Sequence, residues 1–273
     1  MYEAYWRLTQ KPFENAADPK FYYPAESHQA ALLKLRYAVE NRRGAALLAG
    51  PSGAGKNLVT TMLRGMLDAQ CAPFVHLVFP QMSSADLLAY LADELDGDAP
   101  IGETPDVQMS VRRIERFLSA NAAKGQHAVV AIDEAQLLEG THTLEALRLL
   151  LNFEPNGQPA LTLLLVGQTS ILTTINRMPQ WEERLGVKCL LRAFNESETA
   201  AYVEHRLRVA GSPRSIVDPD ALPTLQELTH GIPRRINRLC DLALLVGYAE
   251  EQQMLDASHF ESVCHELVAM TPE

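Results

Sequence analysis

Three short stretches carry side chains whose types and spacing could do chemistry. The first is Gly50-Pro51-Ser52-Gly53-Ala54-Gly55-Lys56-Asn57-Leu58. Glycine, four residues, glycine and lysine form the frame of a phosphate-binding loop. Glycines let backbone N–H groups curl around phosphate oxygens, and a helix that begins at the lysine adds its positive N-terminal field. Lys56 would reach the terminal phosphates as a point charge. The pattern asks next for Ser or Thr, whose hydroxyl holds Mg²⁺, but this chain has Asn57. An amide oxygen can bind a hard cation, yet it brings a larger group into a tight shell. The second stretch, Val129-Val130-Ala131-Ile132-Asp133-Glu134, is an apolar run that ends on two carboxylates. Asp133 is placed to hold Mg²⁺ directly or through water, and Glu134 to polarise an attacking water. The third is Leu161 to Gly167 followed by Gln168, an amide able to hydrogen-bond a γ-phosphate or the lytic water.

Such residues work only if strands and helices bring them to one place. Ala45–Ala49, Val75–Phe79, Val129–Ile132, Leu161–Val166 and Val187–Leu191 are short, continuous apolar runs, the pattern of parallel strands buried on both faces. Helical spacing fills the intervals. Ser27 can cap a helix through about Glu40. The segment after the loop shows Leu58, Met62 and Met66 beside Val59, Leu63 and Leu67. Ser83 or Ser84 caps a helix carrying Leu87, Leu88, Leu91 and Leu95. A polar turn then spans Gly97–Pro105, and further helices are expected over Val107–Ala123 and Thr143–Phe153. Alternation of this kind predicts an α/β fold with a mainly parallel five-stranded sheet, in which ligands sit at the carboxyl ends of the strands. From Ala193 onward only helices are expected: Ser197–Val209, Pro219–Thr229, Pro233–Ala249 and Ala257–Val268. Asn195 and Glu198 make a capping-box start there. The expected division is therefore a core over 1–193 and a small helical domain over 194–273. The aromatic and proline-rich residues 1–27 should pack on the core. Among them Tyr22 and Tyr23 could shape a base pocket, or simply fill the core.

Composition narrows the function classes. With 47% hydrophobic and 21% charged residues the chain is an ordinary globular protein. A net charge of −10 excludes a generally basic surface for nucleic acid or anionic lipid. Local patches at Arg42-Arg43, Arg112-Arg113 and Arg234-Arg235-Arg238 remain. Cys71, Cys189, Cys240 and Cys264 lie far apart and read as reduced thiols, and no apolar run reaches the ~20 residues of a membrane span. A cytoplasmic location is the expectation.

Taken in order, these features resemble the AAA+ P-loop ATPases: a phosphate loop, an hhhhDE strand, a polar strand end, then a helical lid with a Pro-Arg pair. More narrowly, the chain resembles the general secretion pathway protein A family. The matching residues include Met1-Tyr2, Pro12-Phe13, Asp133-Glu134-Ala135-Gln136, Leu147-Arg148-Leu149-Leu150, Leu165-Val166-Gly167-Gln168, His205-Arg206-Leu207 and Gly231-Ile232-Pro233-Arg234. The resemblance implies ATP bound between core and lid, with Mg²⁺, in homo-oligomers that act across subunit boundaries. It implies that Arg234 senses the γ-phosphate and that Arg184, with Arg177 as its rival, reaches a neighbouring subunit's phosphate. In that family Thr stands where this chain has Asn57. Secretion-type members also carry a membrane helix and a cell-wall-binding domain after the ATPase, so an anchor supplied by a protein partner is expected here. Three functions follow: an ATPase that drives assembly of a larger, secretion- or envelope-related complex; a nucleotide-gated scaffold with weak hydrolysis because of Asn57; or an ATP-dependent regulator of DNA transactions, which the acidic total disfavours.

Overall fold

The computed structural model describes residues 1–97, 106–138 and 142–269. Most of the expected Gly97–Pro105 turn therefore lies outside the described residues. Strands β1 (Ala45–Ala49), β2 (Phe74–Leu77), β3 (Ala128–Ile132), β4 (Leu161–Gly167) and β5 (Leu185–Leu190) form one sheet in the order β2-β3-β4-β1-β5. Every pairing is parallel. The three inner strands, AALLA, AVVAI and LTLLLVG, are buried at every position, as strands covered on both faces must be. The edge strands alternate instead.

Alternate residues separate the two faces. Ala45, Leu47, Ala49, Ala128, Val130, Ile132, Leu161, Leu163 and Leu165 share one apolar cluster with Leu87, Leu91, Ile114, Leu118, Leu147 and Trp181. These come from the helices Ser84–Asp96, Val107–Ala123, Thr143–Leu150 and Pro179–Glu182. On the opposite face, the Cys189 thiol lies 3.8 Å from the carbonyl of Ala31, which places the helix Glu26–Glu40 there. The one hydroxyl inside β4, Thr162, is satisfied: it donates to the Arg43 carbonyl at 2.9 Å and pairs with His127 Nε2 at 2.8 Å. β1 lies between β4 and β5, so the chain leaves it and later returns on both sides, the switch point where parallel sheets take ligands.

The chain divides into two compact units. Ser27–Gly50 with Val59–Leu191 carry the sheet; Met1–Glu26, Pro51–Leu58 and the chain from Arg192 onward form the other. The N-terminal aromatics, expected on the sheet-bearing core, instead belong to the helical unit. Trp6 and Phe13 are buried among Val203, Leu207, Leu239 and Leu244, and Trp6 Nε1 donates to the Leu244 carbonyl at 2.9 Å. The helices Glu196–Val209, Leu222–Thr229, Pro233–Ala249 and Ala257–Ala269 are amphipathic and short, and the flat rings of the N-terminal segment complete the apolar interior they share. Arg206, buried in this interior, lies 4.3 Å from the Phe21 ring and donates to the Pro12 and Glu14 carbonyls. The expected capping box is complete: the Glu198 N–H donates to Asn195 Oδ1 at 2.9 Å and the Asn195 N–H to Glu198 Oε2 at 3.0 Å. The expected helix over 219–229 is a 3₁₀ turn, Pro219–Ala221, followed by the helix Leu222–Thr229.

Candidate functional site

β1 stops because Gly50 must let another chain segment pass. A Cβ on Gly50 would stand 3.0 Å from Leu191 Cβ and 3.2 Å from the Leu191 carbonyl oxygen. The Gly50 N–H donates to the Gly167 carbonyl at 3.2 Å, so the loop departs level with the end of β4. Beyond Gly50 the loop turns at Gly53 (φ 79°) and Gly55 (φ 91°), left-handed positions that glycine takes without strain. A one-turn N–H···O bond from Ala54 to Pro51, at 3.2 Å, closes it. The helix Lys56–Met66 begins at the lysine itself. The Lys56 stem is buried (6% exposed), and its amine donates to the Pro51 carbonyl at 3.0 Å, folded over the loop. Ser52 and Asn57 face outward, Leu58 is half-buried and Ala54 is buried.

The same unit supplies the lid arginine. The helix Pro233–Ala249 has no side-chain cap at its start, and the Arg234 N–H donates to the Gly53 carbonyl at 3.2 Å. A Cβ on Gly53 would meet Arg234 Cβ at 2.8 Å and Ile232 Cγ2 at 3.2 Å. Gly231 (φ 67°) sets this turn: a Cβ there would fall 1.9 Å from the Phe194 carbonyl oxygen. The turn seats Arg234, singled out in the sequence through the Gly231-Ile232-Pro233-Arg234 run, on the phosphate loop.

In the sheet-bearing unit, β3 delivers its acids to the carboxyl edge from which Gly50 leaves. Asp133 is 2% exposed, its N–H bonded to the Leu77 carbonyl at 2.8 Å. The Glu134 N–H donates to Asp133 Oδ1 at 2.9 Å, and Glu134 itself takes a left-handed backbone (φ 49°). Gln168, one residue past β4, exposes its side chain at this edge. Gln136, to which its place in the sequence assigns no role, spans the edge, donating through Nε2 to Glu134 Oε2 and accepting the Gln168 N–H through Oε1 at 2.8 Å.

Arg184 does not join them. It precedes β5 at the amino edge, where its carbonyl accepts the Ala45 N–H at 3.1 Å, a full strand length (~16 Å) from Gly50. Its guanidinium pairs with Glu154 at 3.3 Å and Asn152 at 2.7 Å. Arg177 caps the helix Ser170–Asn176 and is exposed. Tyr23 packs edge-on to Phe194 and Tyr202, at 5.8 and 5.9 Å, which makes it core. Tyr22 is half-buried, and its buried hydroxyl has no hydrogen-bond partner.

Each unit carries groups of a kind that suits Mg²⁺–triphosphate. The loop of one has an amine, two left-handed glycines and an amide oxygen at Asn57, and the sheet-bearing unit has a buried carboxylate at Asp133. Mg²⁺ keeps waters and substrate phosphates in its shell and needs only one or two protein oxygens, so a dense acidic cage is not required.

A family model described as an AAA domain matches residues 39–175, half of the chain. General secretion pathway protein A of Aeromonas hydrophila is 35% identical over 252 residues. That match covers 91% of this chain and 45% of the relative, so the chain spans less than half of the relative's length. Among solved structures, Cdc6p from Pyrobaculum aerophilum superposes with a TM-score of 0.74 at 14% identity, covering 96% of this chain and 74% of that one. The Aeropyrum pernix ORC1 protein, solved in complex with DNA, gives 0.69 at 16% identity, covering 96% and 69%. At such identities these structures speak for the fold alone. The chain belongs to the AAA domain family: its fold is that of an AAA+ P-loop NTPase, and general secretion pathway protein A is among its relatives.

Proposed function

We propose that the chain binds Mg²⁺–ATP and hydrolyses it, and that the nucleotide cycle drives assembly or remodelling of a larger complex in the cytoplasm. The loop residues Gly50–Leu58 hold the phosphates, with Lys56 on the terminal ones. Asn57 and Asp133 hold Mg²⁺, which neutralises phosphate charge. Glu134 takes the proton of the attacking water, Gln168 orients that water or the γ-phosphate, and Arg234 follows the γ-phosphate from the lid. The observation that carries the reading is the docking of the Arg234 helix on Gly53. A cation at a helix start lies in an unfavourable field and gains from an anion placed there, and the phosphate loop beside it is built to hold that anion.

Arg184 is proposed as the finger for a neighbouring subunit. Its place at the amino edge puts it far from the strand ends of its own chain, and its pair with Glu154 is exposed and weak enough to exchange for a phosphate. The name of the Aeromonas hydrophila relative, general secretion pathway protein A, supports a partner in a general secretion pathway. Among the described residues no helix is long and apolar enough to cross a membrane.

Asn57 favours one second reading, a nucleotide-gated scaffold with slow turnover. An exposed amide replaces the hydroxyl in the first turn of the loop helix. Phosphate release measured with and without Mg²⁺, for wild type, Lys56→Ala and Glu134→Gln, tests the enzymatic reading; ATP binding without turnover in the wild type would favour the scaffold.

A further inference from the structure

We propose that Gln136 is the positioning residue for Glu134: a two-ended amide clamp that fixes the carboxylate and ties it to the end of β4. The inference rests on the proposed role of Glu134 as the base.

The backbone of Glu134 is already fixed. It holds a left-handed conformation that costs a non-glycine residue about 1–2 kcal/mol, kept by the Asp133 carboxylate on its N–H (2.9 Å) and the Leu137 N–H on its carbonyl (2.8 Å). What remains free is the side chain, and Gln136 Nε2 takes hold of Oε2. The other end of the same amide accepts the Gln168 N–H at 2.8 Å. Gly167 makes room for this: a Cβ there would stand 2.7 Å from Gln136 Oε1 and 3.3 Å from the Gln136 nitrogen. The glycine at the end of β4 thus admits the clamp.

Only a primary amide of this length offers a donor at one end and an acceptor at the other. Glutamate at 136 would set an acceptor against the Glu134 carboxylate. Leucine keeps the size and loses both bonds, and asparagine is one methylene short. Because the clamp grips the backbone of Gln168, a shift of the β4 end moves the base with it. Positions of reacting groups matter to within an ångström, so a loosened Glu134 should lose turnover while nucleotide binding stays intact.

The test compares the full chain with Gln136→Leu, Gln136→Glu, Gln136→Asn and Glu134→Gln. It measures phosphate release against ATP concentration, fluorescent ATP-analogue affinity and melting temperature. The expected result is kcat reduced about 10- to 100-fold in all three Gln136 variants, with KM, affinity and melting temperature close to wild type. Wild-type kcat in Gln136→Leu, or a parallel fall of kcat, affinity and melting temperature, overturns the proposal. If wild type fails to turn over, or Glu134→Gln turns over normally, the reading of Glu134 as base is what fails. The clamp is read separately in nucleotide-free ¹⁵N-labelled protein. The Gln136 side-chain NH₂ cross-peaks, assigned by their loss in Gln136→Leu, should move upfield in Glu134→Ala; unmoved peaks overturn the clamp whatever the turnover.

Discussion

The backbone N–H of Arg234 and the carbonyl of Gly53 meet at 3.2 Å, with only the missing side chain of the glycine leaving room for the arginine's Cβ. The contact separates two roles that mutation can distinguish. Gly53→Ala forces an alanine to φ 79° and presses it against Arg234. A loss of about 2 kcal/mol in urea unfolding is expected, together with at least a tenfold loss in ATP affinity. Arg234→Ala keeps the N–H bond and removes only the exposed guanidinium. Stability should stay within about 0.5 kcal/mol of wild type, while turnover falls about tenfold or more.

Gly231 tests how firmly the lid turn is set. Its φ is 67° and its carbonyl accepts the Phe194 N–H at 2.8 Å, so the backbone cannot retreat from a Cβ that would lie 1.9 Å from the Phe194 oxygen. Gly231→Ala should cost about 3 kcal/mol or more, seen in urea unfolding. A loss below about 1 kcal/mol would mean that the turn relaxes freely.

These two glycines mark the limit of what the sequence discloses. The phosphate frame and the acidic strand end were legible because their residues are contiguous and their strands, β1 and β3, are unbroken apolar runs. Helices Val107–Ala123 and Pro233–Ala249 were legible, with approximate ends, because several turns of periodicity define them. Long-range packing was not. Leu185-Gly186 resembles a turn, yet it opens β5 because the glycine clears Arg43, whose Cβ would be 2.6 Å from an added Cβ. Val78 and Phe79 resemble strand residues, yet β2 ends at Leu77 and leaves them 61% and 64% exposed. The helices Ser170–Asn176 and Pro179–Glu182 are too short to show a period and are fixed by burying Ile171 and Trp181. Aromatics in residues 1–26 state that they will be buried, not against what. Gln136 sits in a turn, where spacing carries no signal, and its two bonds appear only once β3 and β4 lie side by side.

His127 should give the fold an acid limb. Burial, with a smaller push from Arg42, lowers its imidazole from 6.5 to about 4, and Thr162 occupies its Nε2. Between those values the unfolded chain binds the proton and the folded chain does not, so stability is full above pH 6.5 and declines as pH falls through 4. The total is about 3 kcal/mol. Urea unfolding of wild type should show this slope, and His127→Gln should flatten it.

Asn57→Thr restores a hydroxyl to the first turn of the loop helix, so Mg²⁺-dependent phosphate release should rise about tenfold. Unchanged turnover with unchanged Mg²⁺ dependence would show that the amide at 57 is no handicap.

The proposed chemistry requires that the lysine-bearing loop and the acid at the end of β3 act on one ATP. The most direct measurement is steady-state phosphate release with Mg²⁺ for wild type, Lys56→Ala, Glu134→Gln and the double variant. Turnover is expected in wild type, with near-complete loss in each single variant, no further loss in the double, and ATP still raising the melting temperature of Glu134→Gln. Turnover that survives in Lys56→Ala and Glu134→Gln, or multiplicative losses from two independent defects, would contradict it.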